Sequence, residues 1–179
     1  MLRLFDTEPD RNVQEAEFKR LLGYPGGHVL EERAGEWFEL DAPSPYMLRV
    51  ASVREDKRCP PPDGGEPTQL EQWVNQARSL APAITHVDYS ARIQTVSRQT
   101  NPDFHAILSA FERLTGCPLL VNTSFNVRSE PIVCTPAHAY QCFMRTGIDV
   151  LVLNKFLLRK SEQPPWEETL DWKKEFGLD

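Results

Sequence analysis

An apolar segment leads directly into a polar one at Pro118-Leu119-Leu120-Val121-Asn122-Thr123-Ser124-Phe125-Asn126. The apolar part is typical of a buried strand, and a proline-started helix is predicted from Pro136 onward. Hydroxyl and amide side chains beyond a buried strand need hydrogen-bond partners, and at a strand end they can hold a phosphate or another polar ligand. A polar turn that satisfies its own backbone through Asn and Ser side chains is the alternative that this pattern leaves open.

The segments on either side alternate between strand and helix patterns. One helix is predicted to begin at Asn101-Pro102 and to end at Gly116, and its apolar residues recur at helical spacing. A second is predicted to begin at Thr135-Pro136 and to end at Gly147. Strand patterns rich in apolar and β-branched residues occur at 46–53, 84–87, 91–96, 118–121, 150–153 and 156–158. Strands interleaved with helices indicate an α/β domain.

Three further segments are also predicted to be helical. Residues 12–22 fit a short helix, and a second helix begins at Thr68, which lies three residues before Glu71 in capping-box spacing. The apolar face of this second helix either covers the core or contacts a partner, and the sequence favours cover. The charged tail from Ser161 is predicted to dock as a C-terminal helix through Trp166, Trp172 and Phe176.

Composition restricts the classes of partner. The 179 residues carry a net charge of −6 and no basic stripe, which argues against nucleic acid because phosphates require compensating cations. No apolar run approaches the roughly 20 residues that cross a bilayer, and the N-terminus lacks the apolar core of a signal peptide. We therefore expect a cytoplasmic protein with no membrane partner. The four cysteines form no CxxC pair and the four histidines are scattered, so no metal site is predicted.

Three motifs follow one another at residues 86–96 (HVDYSARIQTV), 115–126 (TGCPLLVNTSFN) and 130–136 (EPIVCTP). In this order and spacing they closely resemble the C-terminal domain of the NodU/CmcH-type O-carbamoyltransferases, the family that includes the antibiotic-tailoring carbamoyltransferases. The resemblance runs from about residue 29 to 158 and includes SPYM at 44–47. It divides the chain into a divergent N-terminal segment 1–28, a carbamoyltransferase C-terminal-like domain 29–160 with an inserted loop and helix at 57–80, and a tail 161–179.

The resemblance implies a YrdC-like α/β fold, a twisted mixed sheet flanked by helices with a concave nucleotide-binding face. Such a domain joins carbamoyl phosphate to ATP, which serves as a substrate together with Mg²⁺, and yields carbamoyl-adenylate and pyrophosphate. In the family, a larger N-terminal domain of the actin-like ATPase superfamily carries a metal and passes the carbamoyl group to an acceptor hydroxyl. The acceptor site belongs to that domain, so the acceptor is not readable from this chain.

The resemblance also assigns candidate site residues. Arg92 matches the arginine of the family's ARxQTV strand and would clamp a phosphate or the carbamoyl oxygen, whereas an exposed strand arginine is the structural alternative. Ser124 matches the serine of NTSFN and would donate a hydrogen bond to a phosphate. These two are the predicted catalytic residues. The predicted nucleotide-binding residues are Asn122, Thr123, Asn126 and Arg128, and the last is nearly as well explained as an exposed loop arginine.

Two departures from the family pattern bear on activity. The family places an Arg/Lys-rich motif before its Val-Leu-Glu-Glu stretch, and residues 20–27 here have lost nearly all of that charge. The resemblance also does not extend to the family's N-terminal domain, so we expect that the chain alone cannot complete a carbamoyl transfer. Two alternatives to an active adenylation module therefore stay open. One is a catalytically inactive nucleotide-binding or interaction protein, and the other is a truncated fragment of a carbamoyltransferase.

Overall fold

A computed structural model of the chain describes residues 26–59, 76–127 and 130–167. These residues fall into two units, the first ending at Asn122 and the second beginning at Thr123. The first unit holds a four-stranded mixed sheet and the longest helix. The second holds a helix and a two-stranded sheet. The α/β class predicted from the sequence is confirmed.

The sheet of the first unit has the strand order β2-β3-β1-β4. Its strands are β1 (Gly26–Leu30), β2 (Arg49–Ser52), β3 (Ser90–Val96) and β4 (Leu119–Asn122). Strand β1 runs parallel to β3 and antiparallel to β4, and β2 runs antiparallel to β3. The central strands β1 and β3 therefore set the register of the edge strands, since β4 pairs with β1 and β2 pairs with β3.

The two faces of this sheet are covered differently. One face packs into a core with the short helix α1 (Ala34–Trp37), in which Val29, Phe38 and Ile93 are almost fully buried. The helix α2 (Pro102–Thr115) packs on the opposite face against β1 and β4 and buries Leu108 there. The predicted ends of α2 are confirmed. Asn101 Oδ1 accepts from Phe104 N at the start, and Gly116 takes a left-handed conformation with a φ of 74° at the end.

Gly27 faces the core side of the sheet at a point where no side chain fits. A Cβ atom placed on it would lie 2.5 Å from Ile84 Cδ1, and Ile84 is itself buried. We expect Gly27→Ala to lower the free energy of unfolding by about 1–3 kcal/mol, because over-packing displaces a close-packed side chain. Gly35→Ala is the matched control, since nothing lies within 4 Å of its added Cβ. Urea unfolding of both variants tests this, and equal stabilities would contradict it.

The second unit is built on the helix α3 (Pro136–Arg145) and the hairpin β5 (Val150–Leu153) and β6 (Phe156–Arg159). Thr135 caps α3, as its Oγ1 accepts from His138 N over 3.1 Å. Lys160 closes the other end by donating to the carbonyls of Phe143 and Thr146. The core of this unit consists of Ala139, Phe143, Ile148 and Leu151 with the half-buried residues around them.

The tail beyond β6 contacts α3 as far as it is described. Tyr140 Oη donates to Gln163 Oε1 over 3.2 Å, and the Tyr140 and Trp166 rings meet edge to face with centroids 6.2 Å apart. Trp166 thus contacts α3, whereas most of the predicted C-terminal helix lies outside the described residues, and its docking stays a prediction. The predicted helices at 12–22 and from Thr68 also lie outside them. Backbone hydrogen bonds connect the two ends of the predicted insertion at 57–80, since Cys59 N donates to Arg78 O and Leu80 N donates to Lys57 O.

One predicted strand is wrong. Residues 84–87 form no strand, since a 3-10 helix spans Pro82–Ile84 and a turn follows up to Tyr89, whose φ is 62°. The Thr85 hydroxyl donates to Ala81 O and His86 N donates to Ser90 O, so local bonds replace a strand ladder. The strand β1 was not predicted, because two consecutive glycines at its start weaken the strand pattern.

Candidate functional site

Arg92 lies on the sheet face that turns away from the core. Along β3, Ala91, Ile93 and Thr95 are buried, whereas Arg92 is exposed and Gln94 is half-buried. This alternation is what a strand with one face on a core produces. Both interpretations of Arg92, a ligand contact and an exposed strand arginine, are compatible with this position, and its guanidinium is accessible.

The register of the sheet places Asn122 on the same face, two strands away. Gly26 on β1 pairs with Asn122 on β4, and the next residue, Gly27, pairs with Ile93, so Gly26 also lies beside Arg92. Adjacent strands are about 4.8 Å apart, which puts the backbones of Arg92 and Asn122 roughly 10 Å from each other. Between them lies Gly26, a buried residue without a side chain.

The side chain of Met47 covers Gly26. A Cβ atom on Gly26 would lie 2.3 Å from Met47 Sδ and 3.2 Å from Arg92 O, so the methionine lies directly over the glycine. Asn122 Nδ2 also approaches Met47 Sδ, at 3.9 Å. We call the surface formed by Gly26, Met47, Arg92 and Asn122 the Gly26 patch.

The loop that carries Met47 is fixed to the sheet by hydrogen bonds. Ser44 Oγ donates to Ile93 O over 2.8 Å, and Ser44 N donates to Thr95 Oγ1 over 3.0 Å. Gln94 Nε2 donates to Pro45 O over 2.8 Å. Met47 itself has a φ of 56°, an uncommon value for a residue with a side chain. The SPYM motif thus bonds to β3 at and beyond the last residue that pairs with β2, and it holds Met47 over Gly26.

His28 lies on the same face of β1 as Gly26, two residues further along, and no sequence pattern pointed to it. Burial lowers the pKa of its imidazole to about 4, and a hydrogen bond with the Asn122 side chain works weakly in the opposite direction. Its ring meets Phe104 edge to face with centroids 4.8 Å apart. Its Nδ1 atom is buried without a hydrogen-bond partner among the described residues. A neutral His28 therefore holds the Asn122 amide in place without adding charge.

The NTSFN loop continues into the second unit, where it is braced from within. Asn126 Nδ2 donates to Val127 O over 3.0 Å and to Glu130 O over 2.8 Å, and Val127 N donates to Glu130 Oε2 over 3.2 Å. Arg145 Nη1 lies 3.5 Å from Glu130 Oε1, and only 4% of the Arg145 side chain is exposed. The sequence did not identify Glu130 and Arg145 as supports of this loop.

The predicted site residues thus divide between the two units. Arg92 and Asn122 come together in the first unit. Thr123, Ser124 and Asn126 belong to the second, where Ser124 is exposed, Thr123 is half-buried and both Asn126 donor hydrogens are engaged within the loop. Arg128 lies outside the described residues. A ligand role for any of these residues stays a prediction.

The chain was compared with known proteins. The family described as "Carbamoyltransferase C-terminus" matches residues 25–160. The chain belongs to this family. It is 57% identical over 151 residues to the uncharacterized protein sll1178 of Synechocystis, covering 84% of this chain and 25% of that protein.

Two named groups of relatives are nodulation proteins. The nodulation protein NolNO of Sinorhizobium fredii is 39% identical over 169 residues, which cover 90% of this chain and 22% of NolNO. The nodulation protein U of Bradyrhizobium diazoefficiens is 37% identical over 112 residues, which cover 63% of this chain and 16% of that protein. The chain thus spans about a quarter or less of the length of the curated relatives it matches.

Two searches of the described part of the chain were also made. Within residues 26–59, 76–127 and 130–167, no group of three or more His, Cys, Asp or Glu side chains is arranged to hold a metal ion. None of the helices described here is long and apolar enough to span a membrane.

Proposed function

We propose that this carbamoyltransferase-type domain binds ATP and carbamoyl phosphate and forms carbamoyl-adenylate for transfer by a separate N-terminal domain. The single observation that carries the proposal is the Gly26 patch, in which the exposed Arg92 and the half-buried Asn122 lie two strands apart on one sheet face. The length of the relatives, about three to four times that of this chain, supports the separate domain.

The chemistry of the Gly26 patch suits a phosphate ester. The Arg92 guanidinium offers donors in a planar fork that matches phosphate oxygens. Met47 covers Gly26, so a phosphate would meet the exposed guanidinium, and the Asn122 amide supplies a second polar group on the same sheet face. Met47 adds apolar surface beside the charged region, where a base or sugar can pack. Preorganised donors of this kind stabilise charge that moves during phosphoryl transfer.

The reaction balances as follows. A carboxyl oxygen of the carbamoyl group attacks the α-phosphorus of ATP, the new oxygen–phosphorus bond forms, and the bond to pyrophosphate breaks. The attacking oxygen belongs to carbamate, which forms when water first breaks the bond between the carbamoyl group and the phosphate of carbamoyl phosphate and so releases orthophosphate. Carbamoyl phosphate, ATP and one water thus give carbamoyl-adenylate, pyrophosphate and orthophosphate. Arg92 would hold the oxygens on which negative charge accumulates. Mg²⁺ bound to the ATP phosphates would add positive charge at the leaving pyrophosphate.

Ser124 would serve as a hydrogen-bond donor to a nucleotide phosphate. Its side chain is exposed, and the loop around it is held by the bonds of Asn126, Glu130 and Arg145. A hydroxyl on a braced loop loses little freedom when it binds, so its hydrogen bond contributes fully to affinity. Thr123, the neighbouring hydroxyl, is the second donor of this loop.

We expect Ser124→Ala to weaken ATP binding roughly tenfold, since a hydrogen bond to a charged group contributes about 1.5 kcal/mol or more. Isothermal titration of the full chain with ATP and Mg²⁺ measures this. Ser161→Ala is the matched control, because Ser161 is also exposed but lies after β6. Equal affinities for the wild type and both variants would contradict the role of Ser124.

A catalytically inactive interaction protein is the second candidate function. The observation that favours it is the β5–β6 hairpin, where Val152, Phe156 and Leu157 are 56%, 73% and 57% exposed. Apolar side chains exposed side by side are typical of a surface that contacts another protein. Pyrophosphate release at an enzymatic rate by the purified chain would exclude this candidate, whereas ATP binding without turnover would support it.

A further inference from the structure

Cys134 and His138 form a pair at the start of α3. Cys134 Sγ lies 3.6 Å from His138 Nδ1, and both side chains are exposed. His138 is held in this position, because its backbone N–H donates to the Thr135 cap of the same helix. A thiol beside an imidazole has a proton acceptor at hand, and the thiolate is the reactive form of cysteine.

An apolar cleft opens beside this thiol. Its volume is about 360 Å³, and Cys134 forms part of its wall. The remaining wall is mostly apolar and includes Phe125, Val133, Leu151 and Val152. All of these residues belong to the second unit. A cleft of this size and lining suits a small aromatic or aliphatic group, and the thiol lies at its edge.

The other cysteines are less suited to react. Cys142 is buried, and burial raises the pKa of its thiol to about 11. Burial also raises the pKa of the half-buried Cys117. All four cysteines lie in the described residues and carry free thiols. Cys59 is half-buried, so Cys134 is the one exposed cysteine among them. Reactivity with small reagents follows thiolate character and access.

We propose that Cys134 and His138 form a thiol-exchange site for small disulfides whose apolar substituent occupies the adjacent cleft. His138 Nδ1 accepts the thiol proton, and the thiolate attacks one sulfur of the disulfide. A new bond forms between that sulfur and Cys134 Sγ, the disulfide bond of the reagent breaks, and its other half leaves as a thiolate that takes up the proton. The Cys134 thiol is oxidised and the reagent is reduced, so the electrons balance.

The rate of reaction with 4,4′-dithiodipyridine, a neutral aromatic disulfide, tests the pair. The full native chain is expected to show one fast-reacting thiol, which Cys134→Ser removes and Cys59→Ser retains. His138→Gln is expected to slow this phase roughly tenfold at neutral pH, because the proton acceptor is lost. Circular dichroism and urea unfolding confirm that the variants are folded. A fast phase that survives Cys134→Ser, or one unaffected by His138→Gln, would overturn the proposal.

A ratio of two reaction rates tests the role of the cleft. The rate with 4,4′-dithiodipyridine is divided by the rate with hydroxyethyl disulfide, and the same ratio is measured on a short peptide with one free cysteine. We expect the ratio for Cys134 to exceed that of the peptide at least fivefold, and Val152→Ser, at the exposed rim, to reduce it. A ratio equal to that of the peptide would show that the cleft takes no part, and this result would overturn the assignment of the ligand class.

Discussion

Arg92→Ala is expected to lower carbamoyl-phosphate-dependent pyrophosphate release by about 10²- to 10³-fold, which corresponds to about 3–4 kcal/mol of transition-state stabilisation. The guanidinium is exposed on the same sheet face as Asn122, where a phosphate can reach it. Removing it deprives the reacting phosphates of a charged, forked donor. The fold should be retained, because an exposed side chain contributes little to the core.

Two further variants define what Arg92 contributes. Arg92→Lys keeps the charge and loses the fork, so it should recover only part of the rate. Arg98→Ala removes an equally exposed arginine that lies in the turn beyond β3, and it should keep the wild-type rate. If Arg92→Ala retained the rate of Arg98→Ala, then the assignment of Arg92 to the site would be wrong.

The second large effect is the loss of stability that His28 causes at acidic pH. Its folded-state pKa is lowered from 6.5 to about 4 by burial, so between these values the unfolded chain takes up a proton that the folded chain excludes. Stability contributed by the neutral ring is therefore complete above about pH 6.5 and is lost as the pH falls toward 4. We expect this group alone to cost about 2–3 kcal/mol of unfolding free energy between about pH 7 and about pH 4.5.

Urea unfolding at both pH values measures this loss. His28→Gln keeps a polar side chain near Asn122 but does not titrate, so this variant should lose less stability on acidification than the wild type. His138→Gln is the matched control, because it removes an exposed imidazole instead of the buried one. Identical losses in the wild type and His28→Gln would contradict a buried neutral imidazole.

Much of the fold was predictable because its signals are local. The caps of α2 and α3 were read from Asn101, Gly116 and Thr135, and each one occupies the position that its side chain or backbone requires. The strand β1 was missed because Gly26 and Gly27 are poor strand formers in isolation. They are needed only because Met47 and Ile84 come close to them in the folded chain. That contact is tertiary and leaves no local pattern.

The candidate site was predictable only in part for the same reason. Arg92 and Ser124 were chosen from motifs, but the support that His28 gives to Asn122 depends on the register of β1 against β4. Glu130 and Arg145 are fifteen residues apart in the sequence and meet only across the folded second unit. The EPIV motif alone did not indicate that a buried arginine lies beside the carboxylate of this loop.

Pyrophosphate release from ATP, measured with and without carbamoyl phosphate, tests the central claim most directly. We expect the purified chain to release pyrophosphate only when carbamoyl phosphate is present, together with an equal amount of orthophosphate, and we expect Ser124→Ala to diminish the release. ATP that binds to the chain but yields no carbamoyl-phosphate-dependent pyrophosphate would contradict adenylation by this domain and leave a nucleotide-binding protein.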